Sequence, residues 1–173
     1  LGQVFMLPSG RAAMLAEFVL FAGLDDVDDF GSEAQSFVAE NVVRTLARTH
    51  VQDFATVLFG TGSGIPVATA LEQQLKGFLD GLRLADRDRV VRRVTICEID
   101  PRRYAALLWA VRRVGVGGGA AHAQLDAPSA ASGLTVRTTE APGTVALAWR
   151  YRPTAATGGR AIRFEVRATS RTT

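Results

Sequence analysis

The stretch FATVLFGTGSGIPVATALEQQLKGFLDGLRLA, residues 54–85, limits what this chain can become more than any other. Its opening run, FATVLF (54–59), is apolar and reads as a central parallel strand covered on both faces. Three glycines within five positions follow, then Pro66, whose fixed φ and missing N–H suit the first turn of a helix. Val67, Leu71, Leu75, Phe78 and Leu82 recur at helical spacing, which predicts a helix reaching about Ala85. A strand that turns through glycines into a long amphipathic helix is one arm of a parallel α/β unit, because parallel strands need a crossover and a helix is the usual one.

The flanking sequence repeats the alternation. QVFML (3–7) and EFVLFA (17–22) read as two buried strands separated by PSGRAAM. The acidic GLDDVDDFGS leads into a second helix, where Ser32 and Gln35 have capping-box spacing and Val38, Val42, Val43 and Leu46 form one apolar face to about Thr49. RRVTICEI (92–99) predicts another strand. Asp100 before Pro101 is a helix start, an N-cap carboxylate with proline behind it, and Tyr104, Leu107, Leu108 and Val111 line the helix before Gly115 stops it. Residues 116–133 lose all periodicity and read as a flexible linker. From 134 to 173 the period becomes two, as Val145, Leu147, Trp149 and Tyr151 alternate with smaller or charged residues and Ile162, Phe164 and Val166 alternate with Arg163, Glu165 and Arg167. The expected organisation is an α/β domain over 1–115, the linker over 116–133, and an antiparallel β-hairpin extension, or the start of a following domain, over 134–173.

Charge is unevenly placed. Residues 1–100 carry 9 basic against 14 acidic side chains, and residues 101–173 carry 11 against 3. A basic rear half attracts nucleic acid or an acidic partner. Alternation alone, however, puts Arg137, Arg150, Arg152, Arg163 and Arg167 on the wet side of a sheet, so nucleic acid is not the expected partner. No apolar run approaches the ~18 residues of a membrane span, which predicts a soluble chain, and the single cysteine predicts a reducing, cytoplasmic compartment. The lone Cys97 and the separated His50 and His122 give neither an internal disulfide nor a metal site, and the acidic Asp25, Asp26, Asp28 and Asp29 lack the ligand spacing of a calcium loop. Opening on Leu1 rather than methionine, the chain is expected to be part of a longer protein.

The glycine turn is where chemistry is expected, because backbone N–H groups at the start of a helix favour an anion. No Gly-Lys-Ser/Thr follows, so it is not a P-loop, and Thr61 and Ile65 stand where a nucleophile elbow around Ser63 needs glycines. The dinucleotide pattern fails in both registers, its third glycine falling on Ile65 or Val67. GTGSG with the later EIDP looks like the cofactor turn and ribose acid of S-adenosylmethionine methyltransferases, but Glu98 and Asp100 come more than thirty residues after Gly64 instead of roughly twenty. A tight turn whose glycines only let helix and strand pack closely is the plain alternative.

From about Gln35 to Val114 the chain resembles a macro domain, the ADP-ribose-binding fold, and the N-terminal domain of leucyl aminopeptidases. The resemblance rests on RTLARTHVQDF closing a helix, on ATVLFGTGSGIP where macro domains carry a glycine-rich phosphate loop closed by proline, and on RRVTICEIDPRRYAAL where a strand ends in an acid before the last helix. EFVLFAGLDD is similar to the leading strand of the aminopeptidase domains, and the whole is similar to macro-like domains set ahead of caspase-like CHAT domains in bacterial multidomain proteins. The resemblance implies a three-layer macro-like domain with a mostly parallel sheet, in which Gly60, Thr61, Gly62, Ser63, Gly64 and Ile65 wrap the diphosphate of an ADP-ribose-like nucleotide. It implies no required cofactor, no metal, no catalytic residue once the peptidase half is missing, and other domains of a longer chain as partners. A docking module with a vestigial pocket is the alternative of a different class. The asparagine-rich first loop and the adenine-reading acid of macro domains have no clear counterpart here.

Overall fold

In the computed structural model, residues 1–10, 14–24, 26, 30–86, 88, 90–98 and 100–111 are described with their side chains, and residues 112–116, 135–141, 144–151 and 160–168 by their backbone. The chain is α/β. Strands β1 (Val4–Pro8) and β2 (Phe18–Ala22) precede helix α1 (Ser32–Arg48). Then come β3 (Asp53–Val57), a single 3₁₀ turn (Thr61–Ser63), α2 (Val67–Ala85), β4 (Arg93–Glu98), α3 (Pro101–Val116), β5 (Thr135–Ala141), β6 (Thr144–Tyr151) and β7 (Arg160–Ala168).

Five strands form one sheet in the order β3-β4-β7-β6-β5. The β3, β4 and β7 strands run parallel, with Phe54 opposite Val94 and Val94 opposite Phe164, while β7, β6 and β5 run antiparallel. The strands within residues 134–173 therefore join the sheet begun by β3 and β4. Of the expected linker, residues 117–133 lie outside the described residues. Helix α2 covers the β3–β4 crossover as its spacing predicts, burying Leu71, Leu75, Phe78 and Leu82. These residues share a core with Val94 and Ile96 of β4 and with Leu107, Ala110 and Val111 of α3, so α2 and α3 lie on the same face of the sheet. Full burial of a side chain the size of Phe78 stabilises the fold by about 1.5–3 kcal/mol.

Helix α1 lies against α2 on one side and the β1–β2 ribbon on the other. Its Ala39 and Val43 enter the main core, and its Val38, Val42 and Leu46 enter a second core with Phe30, Met6, Leu20 and Phe54. Two strand expectations are corrected. β1 and β2 are not buried strands; among the described residues they pair only with each other, antiparallel, and leave Phe5 62% and Phe21 56% exposed. β3 is not central but the edge of its sheet, with Val57 61% exposed. The apolar density of these segments was read correctly. What it did not contain was which strand would find two neighbours.

Among the described residues no helix is long and apolar enough to cross a membrane, and no group of three or more His, Cys, Asp or Glu is placed to hold a metal ion. Asp26 is exposed, and Asp25, Asp28 and Asp29 lie outside the described residues.

Candidate functional site

The glycine turn sits at the carboxyl end of β3 and feeds α2. Gly60 (φ 94°) and Gly64 (φ 80°) bracket the 3₁₀ turn in the left-handed region, a conformation glycine adopts without the steric cost that a Cβ brings. The glycines at these two positions are thus required by the backbone path. Gly62 differs, since a Cβ placed on it meets nothing within 4 Å. It faces outward.

The six expected ligand-binding residues stay together, but their amides divide into two sets. Ser63 N–H donates to the Gly60 carbonyl at 3.1 Å, Gly64 N–H to Thr61 at 3.3 Å, and Ile65 N–H to Gly60 at 3.3 Å. Those three amides close the turn on itself. The turn's inner side is also filled, because a Cβ on Gly60 would lie 3.0 Å from Gln35 Oε1 and 3.1 Å from Ile65 Cδ1. The other set, Gly60, Thr61 and Gly62, donates no backbone bond among those of the loop; of these Gly62 is exposed, with the half-buried Thr61 and Ser63 on either side of it. Helix α2 adds to it. Its N-cap is Pro66, which has no side-chain group to offer, so the first-turn amides of Val67, Ala68 and Thr69 receive no cap, whereas Ala70 N–H bonds to Pro66 O at 2.8 Å.

Two buried glutamines hold this turn in place. Gln74 of α2 donates from Nε2 to the Val57 carbonyl (3.0 Å) and accepts the Phe59 N–H at Oε1 (3.2 Å), copying a strand neighbour for the last residues of β3. Gln35 of α1 donates from Nε2 to the carbonyls of Phe59 (2.6 Å) and Ala70 (2.8 Å), which ties the strand end to the first turn of α2. Both side chains are fully buried. The Oε1 of Gln35 has no hydrogen-bond donor. The capping box expected at Ser32 does not form: α1 is capped by the Gly31 backbone, with Gln35 N–H bonded to Gly31 O, while the Gln35 side chain turns inward. Sequence reading missed both glutamines as loop supports. A signal was present, because Gln35 and Gln74 fall at helical spacing on the same faces as Val38 and Leu71.

At the end of the adjacent strand, Glu98 is buried and occupied. Its Oε1 accepts the Asp100 N–H at 2.8 Å and lies 3.3 Å from the Arg103 guanidinium. Asp100 caps α3 as expected, accepting the Arg103 and Arg102 amides at 3.0 and 2.7 Å. Those backbone hydrogen bonds, Arg103 first, hold its carboxyl below the usual carboxylate range. Neither acid is free to read a ribose as the side chains stand. Cys97 is half-buried on the face of β4 opposite Val94 and Ile96.

A cavity of about 790 Å³ lies nearby, between β2, α1 and β3, and Phe59 is on its wall, but none of residues 60–65 lines it. No family model, curated protein or solved structure matches this chain, so any reading of the site rests on the geometry of its own residues.

Proposed function

We propose that this chain is a macro-like, non-catalytic ligand-binding or regulatory module of a cytoplasmic multidomain protein. In this reading it belongs to a three-layer, macro-like α/β architecture and takes the diphosphate of an ADP-ribose-like nucleotide on the outer side of residues 60–65. The observation that carries this is the clamped glycine turn: two buried glutamines fix its approach, and it opens onto an uncapped helix of 19 residues. The donors in this reading are the amides of Thr61 and Gly62, the Ser63 hydroxyl and the first turn of α2, with Gly60, Gly64 and Ile65 shaping the turn. A helix terminus alone contributes only about 0.3–1 kcal/mol, so affinity rests on several donors acting together and on a cradle that need not reorganise.

Calorimetric titration with ADP-ribose and, separately, with S-adenosylmethionine tests it. Saturable heat with ADP-ribose alone is the expected result; heat with S-adenosylmethionine alone replaces this reading by a methyltransferase one, and silence from both leaves the turn a packing device. Gly62→Glu sharpens the test, because the position has space for a side chain. A carboxylate there abolishes diphosphate binding while the melting temperature stays unchanged.

A further inference from the structure

The two faces of the five-stranded sheet differ in character. Helices α2 and α3 cover one of them, on which Val94 and Ile96 of β4 are buried. The register carries that face across the sheet, because residues directly opposite on neighbouring strands share a face. Phe164 lies opposite Val94, Leu147 opposite Phe164 and Val166 opposite Ile96, and Trp149 and Tyr151 follow Leu147 at alternate positions of β6. The other face takes the remaining residues of each strand. On β3 these are Asp53, Ala55 and Val57, all exposed.

Arginine dominates this second face. Arg93 of β4 lies opposite Arg163 of β7, Arg163 opposite Ala148 of β6, and Ala148 opposite Arg137 of β5, so one row across the strands holds three arginines. At about 4.8 Å per strand the row spans about 14 Å. Arg167, opposite Cys97, and Arg150, two residues from Ala148, belong to the same face. Its acids are Asp53, which pairs with Arg93 at 2.8 Å, and Glu165, opposite Thr95. Alternation alone accounts for arginines on the wet side of a hairpin. It does not account for two placed directly opposite each other, since like charges in that position destabilise a sheet. Arg93 meets Arg163 only because β7 pairs with β4, and an anion lying along the row relieves their repulsion.

The chemistry of that anion follows from what the face lacks. Bases of a single strand stack on aromatic rings, and the aromatic residues of these strands, Phe54, Phe164, Trp149 and Tyr151, all belong to the helix-covered face. A protein partner needs large apolar or aromatic anchors at the centre of its interface. Between its charges this face offers mostly alanine and threonine, with Val57 on the edge strand. Interfaces with duplex nucleic acid are instead polar and strongly positive, and the planar fork of arginine suits phosphate. We infer that the arginine face of the sheet is a docking surface for double-helical nucleic acid, held through backbone phosphates and without selection of sequence.

Fluorescence anisotropy of the whole chain with short labelled DNA and RNA duplexes of unrelated sequence tests this. Saturable binding is expected, equal for the different sequences, with log K falling against log salt at a slope of about −3.6, the value for one phosphate contact from each of Arg137, Arg150, Arg163 and Arg167. Arg163→Gln and Arg137→Gln each weaken binding at least fivefold and make the slope shallower by about 0.9. Arg83→Gln, which removes the same charge from α2 behind the sheet, changes neither. The inference is overturned by absence of duplex binding at low salt, by tighter binding of a single strand or of polyglutamate, by face variants that bind as well as the unaltered chain, or by an equal loss in Arg83→Gln, which makes net charge the cause. Where a variant fails to fold, the salt slope of the unaltered chain decides, and a slope near zero sinks the idea.

Discussion

Gln74 and Gln35 do similar work with unequal completeness, and the difference sets what each is worth. Both polar atoms of the Gln74 side chain have a partner, and the groups it serves are the C=O of Val57, the last residue of the β3 ladder, and the N–H of Phe59, two residues past it. Gln74→Leu keeps the volume but strands both groups, each at about 1–3 kcal/mol. Gln35→Leu also removes two hydrogen bonds, yet it relieves an acceptor that has no donor, and the Ala70 carbonyl it leaves is inside a helix. Urea denaturation should therefore find Gln74→Leu the more damaging of the two. If Gln35→Leu costs more, the glutamine tie between β3 and α2 matters more than the strand mimicry, and the anion cradle depends on α1.

At the scale of elements, α1 and α2 pack closely, and glycine permits it. A Cβ on Gly77 would fall 2.2 Å from Ser36 O and 2.6 Å from Ala39 Cβ, and one on Gly81 would fall 2.7 Å from Glu40 O. Both positions face the same helix one turn apart. Alanine favours a helix interior over glycine by about 1 kcal/mol, but contact with rigid backbone forces the helices apart, and overpacking of this kind costs about 1–3 kcal/mol or more. Gly77→Ala is expected to lower the melting temperature despite the better helix former, whereas Gly62→Ala leaves it unchanged; a stabilised Gly77→Ala would mean that α1 and α2 can separate freely. The elements themselves were legible unevenly, and for physical reasons. α2 and the start of α3 could be read because Pro66, Asp100 and the apolar spacing are local signals that tertiary packing did not contradict. The capping box at Ser32 misled because the core claimed Gln35. The glycine turn was visible as a turn, but which amides it would use internally depends on its 3₁₀ geometry, which glycine spacing does not encode. β1, β2 and β3 share the apolar composition of buried strands, and only pairing distinguishes them.

Across the whole molecule, stability is graded by how many neighbours each strand has. β4 is flanked by β3 and β7, has α2 and α3 against it, and buries Val94 and Ile96. The β1–β2 ribbon stands at the other extreme: two strands that, among the described residues, pair only with each other, one apolar side resting on α1 through Met6, Leu20 and Ala22 and the other carrying exposed Phe5, Leu7 and Phe21. A two-stranded ribbon is marginal on its own in water, so its order depends on that single contact with α1. Opening it exposes little that is not already wet. Opening β4 exposes the core. Native-state hydrogen exchange is therefore expected to show the amides of 4–8 and 18–22 exchanging through local opening, at least a hundredfold faster than those of Val94 and Ile96, whose exchange follows global unfolding. Equal protection in both places would mean that ribbon and sheet open as one cooperative unit, and that the gap between β2 and β3 is bridged in solution.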